Sequence, residues 1–165
     1  MTKRILGSLA LALVLGATYV LYKPALAHDF EHGDLKVVHP VARPSMGAAA
    51  NSAVYMTIEN VGAADRLVGV SSDVAERVEL HTTVLEDGVL KMQELEEGIV
   101  VPASDNATLE TGGNHVMLMG LDEPLRVDDK FMLTLEFEEA GPVDVEVYVV
   151  HPDELGEAMH MESHD

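Results

Sequence analysis

The sequence predicts an all-β fold, a two-sheet Greek-key β-sandwich, and three observations predict it. From Leu35 onward, short runs rich in Val, Leu, Met and Thr recur at intervals of about ten residues. Gly, Asp, Asn and Pro stand between the runs and supply turn chemistry. Several runs alternate apolar with other residues, the period of a strand with one buried face. In chain order the expected strands are Leu35–His39, Ala53–Glu59, Arg66–Ser71, Arg77–Leu85, Val89–Leu95, His115–Leu121, Lys130–Phe137 and Val143–Val150. Lys130–Phe137 shows the alternation most clearly, with Phe131, Leu133, Leu135 and Phe137 on one face. Asp73-Val74-Ala75-Glu76 has the spacing of a capping box and could start a turn or two of helix. Eight short antiparallel strands fit a two-sheet Greek-key sandwich, a reading of fold class alone. The Cys and Trp markers of true immunoglobulin domains are absent.

A length of 165 residues suits one domain. Residues 1–27 read as a signal peptide: Lys3 and Arg4 precede the apolar run Ile5–Tyr22, and Ala25-Leu26-Ala27 is a small-x-small cleavage pattern. The run approaches the length of a membrane span, so an uncleaved anchor is the other reading. Both put the domain, residues 28–150, outside the cytoplasm, in the periplasm, with contact to a membrane only through the uncleaved segment or an acceptor. A flexible acidic tail, 151–165, follows. The formal charge of −19, from 29 acidic against 10 basic residues, argues against a nucleic-acid partner. Loss of Lys3, Arg4 and Lys23 with the leader makes the remainder more negative still. Absence of cysteine excludes disulfides, thiolate metal sites and Cys nucleophiles.

Eight His and nine Met remain as soft or borderline ligands. Asp87-Gly88 is a two-residue hairpin signal, because both central residues of the favoured turn take positive φ. Its register sets Glu86 opposite Val89, Leu85 opposite Leu90 and Thr83 opposite Met92. His81, Thr83 and Met92 then share a face, and His81 and Met92 are diagonal neighbours within reach of one ion. In the second segment, a Gly112-Gly113 turn leads into a strand with His115, Met117 and Met119 on one face and Val116 and Leu118 on the core face. Either segment alone is compatible with packing, since Met commonly fills gaps in cores. Two such segments in a chain without cysteine point to a metal. Imidazole with neutral thioether favours Cu(I) over Zn(II), Mg(II) or Ca(II). Blue-copper electron transfer needs a thiolate, so the expected role is to hold copper, and not to act as an enzyme. Met119 is a reserve ligand.

These residues resemble the periplasmic copper chaperone family PCuAC. Its pattern is His, ten residues, Met, about twenty-one residues, then His-x-Met. Here ten residues separate His81 from Met92, and twenty-two separate Met92 from His115-Val116-Met117. The extra residue is expected between Val101 and Gly113. Ala42-Arg43-Pro44, Ala53–Asn60, Val78–His81 and Glu86–Val89 support the resemblance. It implies a cupredoxin-like Greek-key sandwich in which His81, Met92, His115 and Met117 bind Cu(I) at an exposed edge. It also implies delivery of copper, by ligand exchange, to the CuA centre of cytochrome c oxidase subunit II or to an intermediary thiol-bearing copper chaperone.

Two other readings stay open. Cleavage after Ala27 would expose His28 as an amino-terminal Cu(II) chelator, the arrangement of a copper-dependent histidine-brace oxygenase. An adhesion-type sandwich would use its His and Met only for packing. The tail residues His151, Met159, His160, Met161 and His164 form a loose set suited to auxiliary Cu(II). His39 is expected to be structural or surface-exposed and not a ligand, and Asn106-Ala107-Thr108 matches a short glycosylation sequon.

Overall fold

A computed structural model describes residues 29–45 and 50–155. The expected leader, His28, and the tail residues Met159, His160, Met161 and His164 lie outside the described residues. Among those described, no helix is long and apolar enough to cross a membrane.

Eleven strands follow in order: β1 (Phe30–His32), β2 (Leu35–Ala42), β3 (Asn51–Asn60), β4 (Asp65–Ser71), β5 (Ala75–Glu86), β6 (Val89–Glu94), β7 (Ile99–Val101), β8 (Asp105–Leu109), β9 (Asn114–Leu121), β10 (Lys130–Phe137) and β11 (Gly141–Val149). All eight expected strands form. The three additional ones, β1, β7 and β8, are three to five residues long, too short for alternation to stand out. Asp73-Val74-Ala75-Glu76 does not start a helix: Asp73 and Val74 form a turn, and Ala75 already pairs with Leu121. Pairing with β9 overrides the local capping signal here.

The strands run in one hydrogen-bonded path, β6-β5-β9-β3-β2-β11-β10-β4-β7, with β1 beside β2 and β8 beside β3. Every pairing is antiparallel except β11 with β2. That exception lies where the sheet wraps over. The register of β2 shifts between Val38 and Val41, and His39 in the shift has φ 49°, a β-bulge that bends the strand. Its two halves thereby serve both layers of the sandwich, and His39 lies half-buried in the bulge.

Inside the wrap lies one core. Met56, Ile58, Leu80, Val116 and Leu118 from one layer meet Leu67, Leu133, Leu135 and Val145 from the other. Phe131, Leu133, Leu135 and Phe137 are buried together, as the alternation of β10 requires. Burying each such side chain contributes roughly 1.5–3 kcal/mol, and the same burial orients β9. A one-residue slip would carry Val116 and Leu118 out of the core and turn His115 and Met117 into it.

A second, smaller cluster sits on the opposite face of β2 and β3, formed by Val41, Ala53, Tyr55, Tyr148 and Leu155. Leu155 belongs to a single helical turn after His151. Packing therefore continues past Val150, through the first residues of the expected tail.

Candidate metal centre

The β5–β6 hairpin turns through Asp87 and Gly88 with φ of 52° and 78°, the two positive values that its twist requires. Its register pairs Glu86 with Val89, Leu85 with Leu90 and Thr83 with Met92, as expected from the turn. The sheet order then adds what the turn could not specify. β9 lies on the other side of β5, with His115 directly opposite His81 and Met117 opposite Glu79. The two imidazole rings stand 6.0 Å apart, centroid to centroid, tilted by 56°. β3 completes this face, with Ala53 beside Met117 and the Tyr55 ring 6.4 Å from that of His115.

A cavity of about 220 Å³ opens here, and Met92, His115 and Met117 line it together with Arg43, Tyr55 and Thr83. His81 stands across the strand pair from His115 and is not among the lining residues. Met119, the reserve ligand, is turned away from the cavity: its sulfur accepts a hydrogen bond from Arg77 Nη2 at 3.5 Å. Met92 is 58% exposed and His115 only 2%, so the donor set grades from solvent to interior.

Hydrogen bonding assigns the ring tautomers. His115 Nδ1 lies 3.0 Å from Gly113 O. A carbonyl only accepts, so Nδ1 carries the proton and Nε2 keeps its lone pair. His81 Nε2 lies 2.9 Å from Glu79 Oε2. A carboxylate likewise accepts, which leaves the lone pair on Nδ1. These two nitrogens, His81 Nδ1 and His115 Nε2, are buried and without a hydrogen-bond partner among the described residues. A buried polar atom left unpaired costs free energy, and facing residues that each hold one lone pair in reserve have the form of a metal site. A donated N–H on the far side of the ring is the usual support of a metal-binding imidazole.

Among the described residues, no three His, Cys, Asp or Glu side chains gather in a metal-binding group. A metal here beyond two-coordinate must recruit other donors, and the thioethers beside His115 are such donors.

Burial pushes the His115 pKa below its ordinary value of 6.5. The Gly113 hydrogen bond opposes this, while the charges of His81 and Arg43 add to it. The unfolded chain therefore binds a proton at this residue that the folded chain resists. The stability at stake is intact above about 6.5 and is lost as pH falls from there through the lower folded value. In the metal-free protein, the urea midpoint is expected to fall between about pH 7 and pH 5, and His115→Gln to flatten that fall; an identical slope in the variant would contradict the assignment.

A family profile described as "Putative lipoprotein LpqE-like" matches residues 35–149. The chain belongs to this family, the PCuAC family. Solved PCuAC structures share its fold. The copper-bound PCuAC domain from PmoF2 is 28% identical with a TM-score of 0.63, over 76% of this chain and 99% of that domain. The Cu(I) form of DR1885 from Deinococcus radiodurans is 30% identical with a TM-score of 0.53, over 67% of this chain and 76% of that one. The curated relative Lxx21020 of Leifsonia xyli subsp. xyli (strain CTCB07), described in the same lipoprotein terms, is 36% identical over 99 residues, or 59% of this chain. The match spans 60% of Lxx21020 and 65% of RP573 from Rickettsia prowazekii (strain Madrid E).

Within this PCuAC domain, three residues beside the candidate ligands fall in stretches that carry the resemblance but were not expected at the site. Glu79 orients His81 and was legible, since it lies two residues earlier on the same strand face. Tyr55 comes from β3 and Arg43 follows the last residue of β2, far from the motif in the chain, and only the sheet order brings them to it.

Proposed function

We propose that this chain is an extracytoplasmic copper chaperone that holds Cu(I) through His81 Nδ1, His115 Nε2 and the sulfurs of Met92 and Met117. One observation carries the reading: two buried imidazole nitrogens on facing residues have free lone pairs and no hydrogen-bond partner among the described residues, with the thioethers of Met92 and Met117 lining a cavity together with His115. Neutral nitrogen and sulfur donors favour a soft monovalent ion. The copper-bound PmoF2 domain and the Cu(I) form of DR1885, both of this family, support the same cargo.

Release follows from the gradient of exposure. Met92, the outermost donor, can leave first while an acceptor ligand enters from solvent. The deeper pair, His81 and His115, then gives up a copper ion already bonded to its new site. The acceptor proposed is the CuA centre of cytochrome c oxidase subunit II, or a thiol-bearing chaperone that serves it. Lipoprotein descriptions among the relatives support a site of action outside the cytoplasm, and periplasmic delivery fits the leader-like residues 1–27. An auxiliary Cu(II) site in the His/Met-bearing segment 151–165 belongs to the same proposal.

Competition titration of Cu(I) against a chromophoric chelator tests the main site. Wild type is expected to take one tightly held ion, and Met92→Ala and Met117→Ala to bind it about 10–100-fold more weakly, the loss that even a supporting residue produces at a metal site. Unchanged affinity in both variants would reject the assignment.

A further inference from the structure

β6 ends the sheet path, and among the described residues no strand pairs with its outer edge. All six of its residues are exposed. Residues directly opposite in an antiparallel pair share a face, so Thr83 and Leu85 of β5 stand with Leu90 and Met92 of β6 on the face of the metal cavity. Leu85 is 71% exposed, Leu90 70% and Met92 58%. Between the turn and Met92 this face carries no charge. Lys91 is on the opposite face, where it pairs with Glu86. Edge strands are ordinarily guarded by charge, proline or a bulge. β6 has no proline and an unbroken register, and it shows an apolar strip that runs to the mouth of the metal cavity.

The register also fixes which backbone groups β5 leaves unused. A two-residue turn makes Glu86 and Val89 a hydrogen-bonded pair, and such pairs alternate along the ladder with pairs that exchange no bonds. Leu85 with Leu90, and Thr83 with Met92, are of the second kind. Thr83 accordingly donates its N–H in the other direction, to Gly113 O at 3.2 Å. The N–H and C=O groups of Leu90 and Met92 therefore point out along the free edge. An antiparallel strand laid there, about 5 Å from β6, bonds to these groups. Its residue opposite Met92 projects on the metal face, as Thr83 does on the inner side of Met92.

We propose that the outer edge of β6 is where the copper acceptor docks, by adding an extended segment to the sheet as an antiparallel strand with a thiol or thioether opposite Met92. The inference deepens the copper-carrier reading and rests on it. The strip to be covered defines the occupant: an uncharged segment with apolar side chains two positions to either side of its soft ligand, one of them over Leu90. A second copy of this chain fits poorly, since its formal charge of −19 meets an equal charge. In the handover to a thiol, the S–H proton passes to buffer as sulfur bonds Cu(I), and the Met92 thioether leaves. The copper stays Cu(I) throughout.

The probe is a short synthetic peptide with blocked ends, in which Val, Cys and Val alternate with Thr. The full-length chain is loaded with Cu(I), its retention is checked by chelator competition, and transfer is followed without oxygen. The peptide is expected to take Cu(I) about tenfold faster than N-acetylcysteine amide at equal concentration, because docking makes the exchange intramolecular. N-methylation of the Val and Cys amides, which face β6, is expected to remove that advantage, and N-methylation of the Thr amides to leave it. Hydrogen exchange of the Leu90 and Met92 amides is expected to slow with the unmethylated peptide. Leu90→Pro deletes an N–H that β5 does not use and is expected to slow transfer as the Val and Cys methyl groups do, whereas Leu90→Ala keeps the edge. The methylated peptides act on the wild-type chain, so their contrast decides whether or not Leu90→Pro folds. Equal rates from the two methylated peptides, or a peptide no faster than the cysteine amide, would overturn edge docking and leave the copper site standing. A chain that retains no Cu(I) against the chelator would overturn the copper-site reading, and the docking with it.

Discussion

Free Cu(I) at about a thousand times its dissociation constant is expected to raise the unfolding midpoint of the protein by on the order of 10 °C, and His115→Ala to abolish the rise. The magnitude comes from linkage. A ligand that binds only the folded state at that excess adds about 4 kcal/mol, and each kcal/mol moves the midpoint of a domain of this size by a few degrees. His115 is the residue to remove because its Nε2 is buried and unpaired, and at 2% exposure no water from bulk solvent replaces it readily. Met92, at 58% exposure, leaves a vacancy that solvent or buffer can fill. The rise, and not the absolute midpoint, is the quantity to compare, since the substitution also removes one of the two hydrogen bonds that the Gly113 carbonyl accepts, leaving the one from Thr83 N–H. Calorimetry under anaerobic, reducing conditions makes the comparison. An undiminished rise in His115→Ala would place the copper elsewhere.

The second large effect concerns the closure of the fold. Gly98 has φ +75°, and a Cβ built on it would stand 2.2 Å from Leu67 O and 3.1 Å from Val68 Cα. Both obstacles are backbone, and Leu67 is fully buried and paired with Ile99 in the β4–β7 ladder. Gly98→Ala can relieve the overlap only by parting those strands. Gly88 is the matched control. Its φ is +78°, but nothing lies within 4 Å of the added carbon. Alanine there meets only the left-handed backbone penalty, roughly 1–2 kcal/mol. Gly98→Ala is expected to lose more than about 4 kcal/mol, a size reserved for backbone clash or a wrecked core. Urea unfolding of the two variants checks this, and equal losses would show that β7 yields without cost.

Both effects turn on pairings distant in the chain, whereas much of the architecture was legible nearby. Alternation located eight strands, since side chains two apart must share a face whatever the strand pairs with. Asp87-Gly88 specified the β5–β6 register, because a two-residue turn leaves no freedom of alignment. Ile99–Val101 and Asp105–Leu109 escaped notice because runs so short carry no period of their own. Asp73–Glu76 misled, because its capping pattern is a local preference that pairing with β9 outweighs.

The amino-acid sequence by itself determined which side of each strand carries His81, Met92, His115 and Met117, and that no thiolate could compete with them, since strand periodicity and composition are local properties. Only the tertiary structure decided that β9 lies between β5 and β3, that His115 faces His81, that Gly113 and Glu79 hold the two rings with their lone pairs inward, and that Arg43 stands in the cavity wall. Strand order is a choice among non-local pairings, made by burying one common core. No window of sequence contains both partners of such a choice.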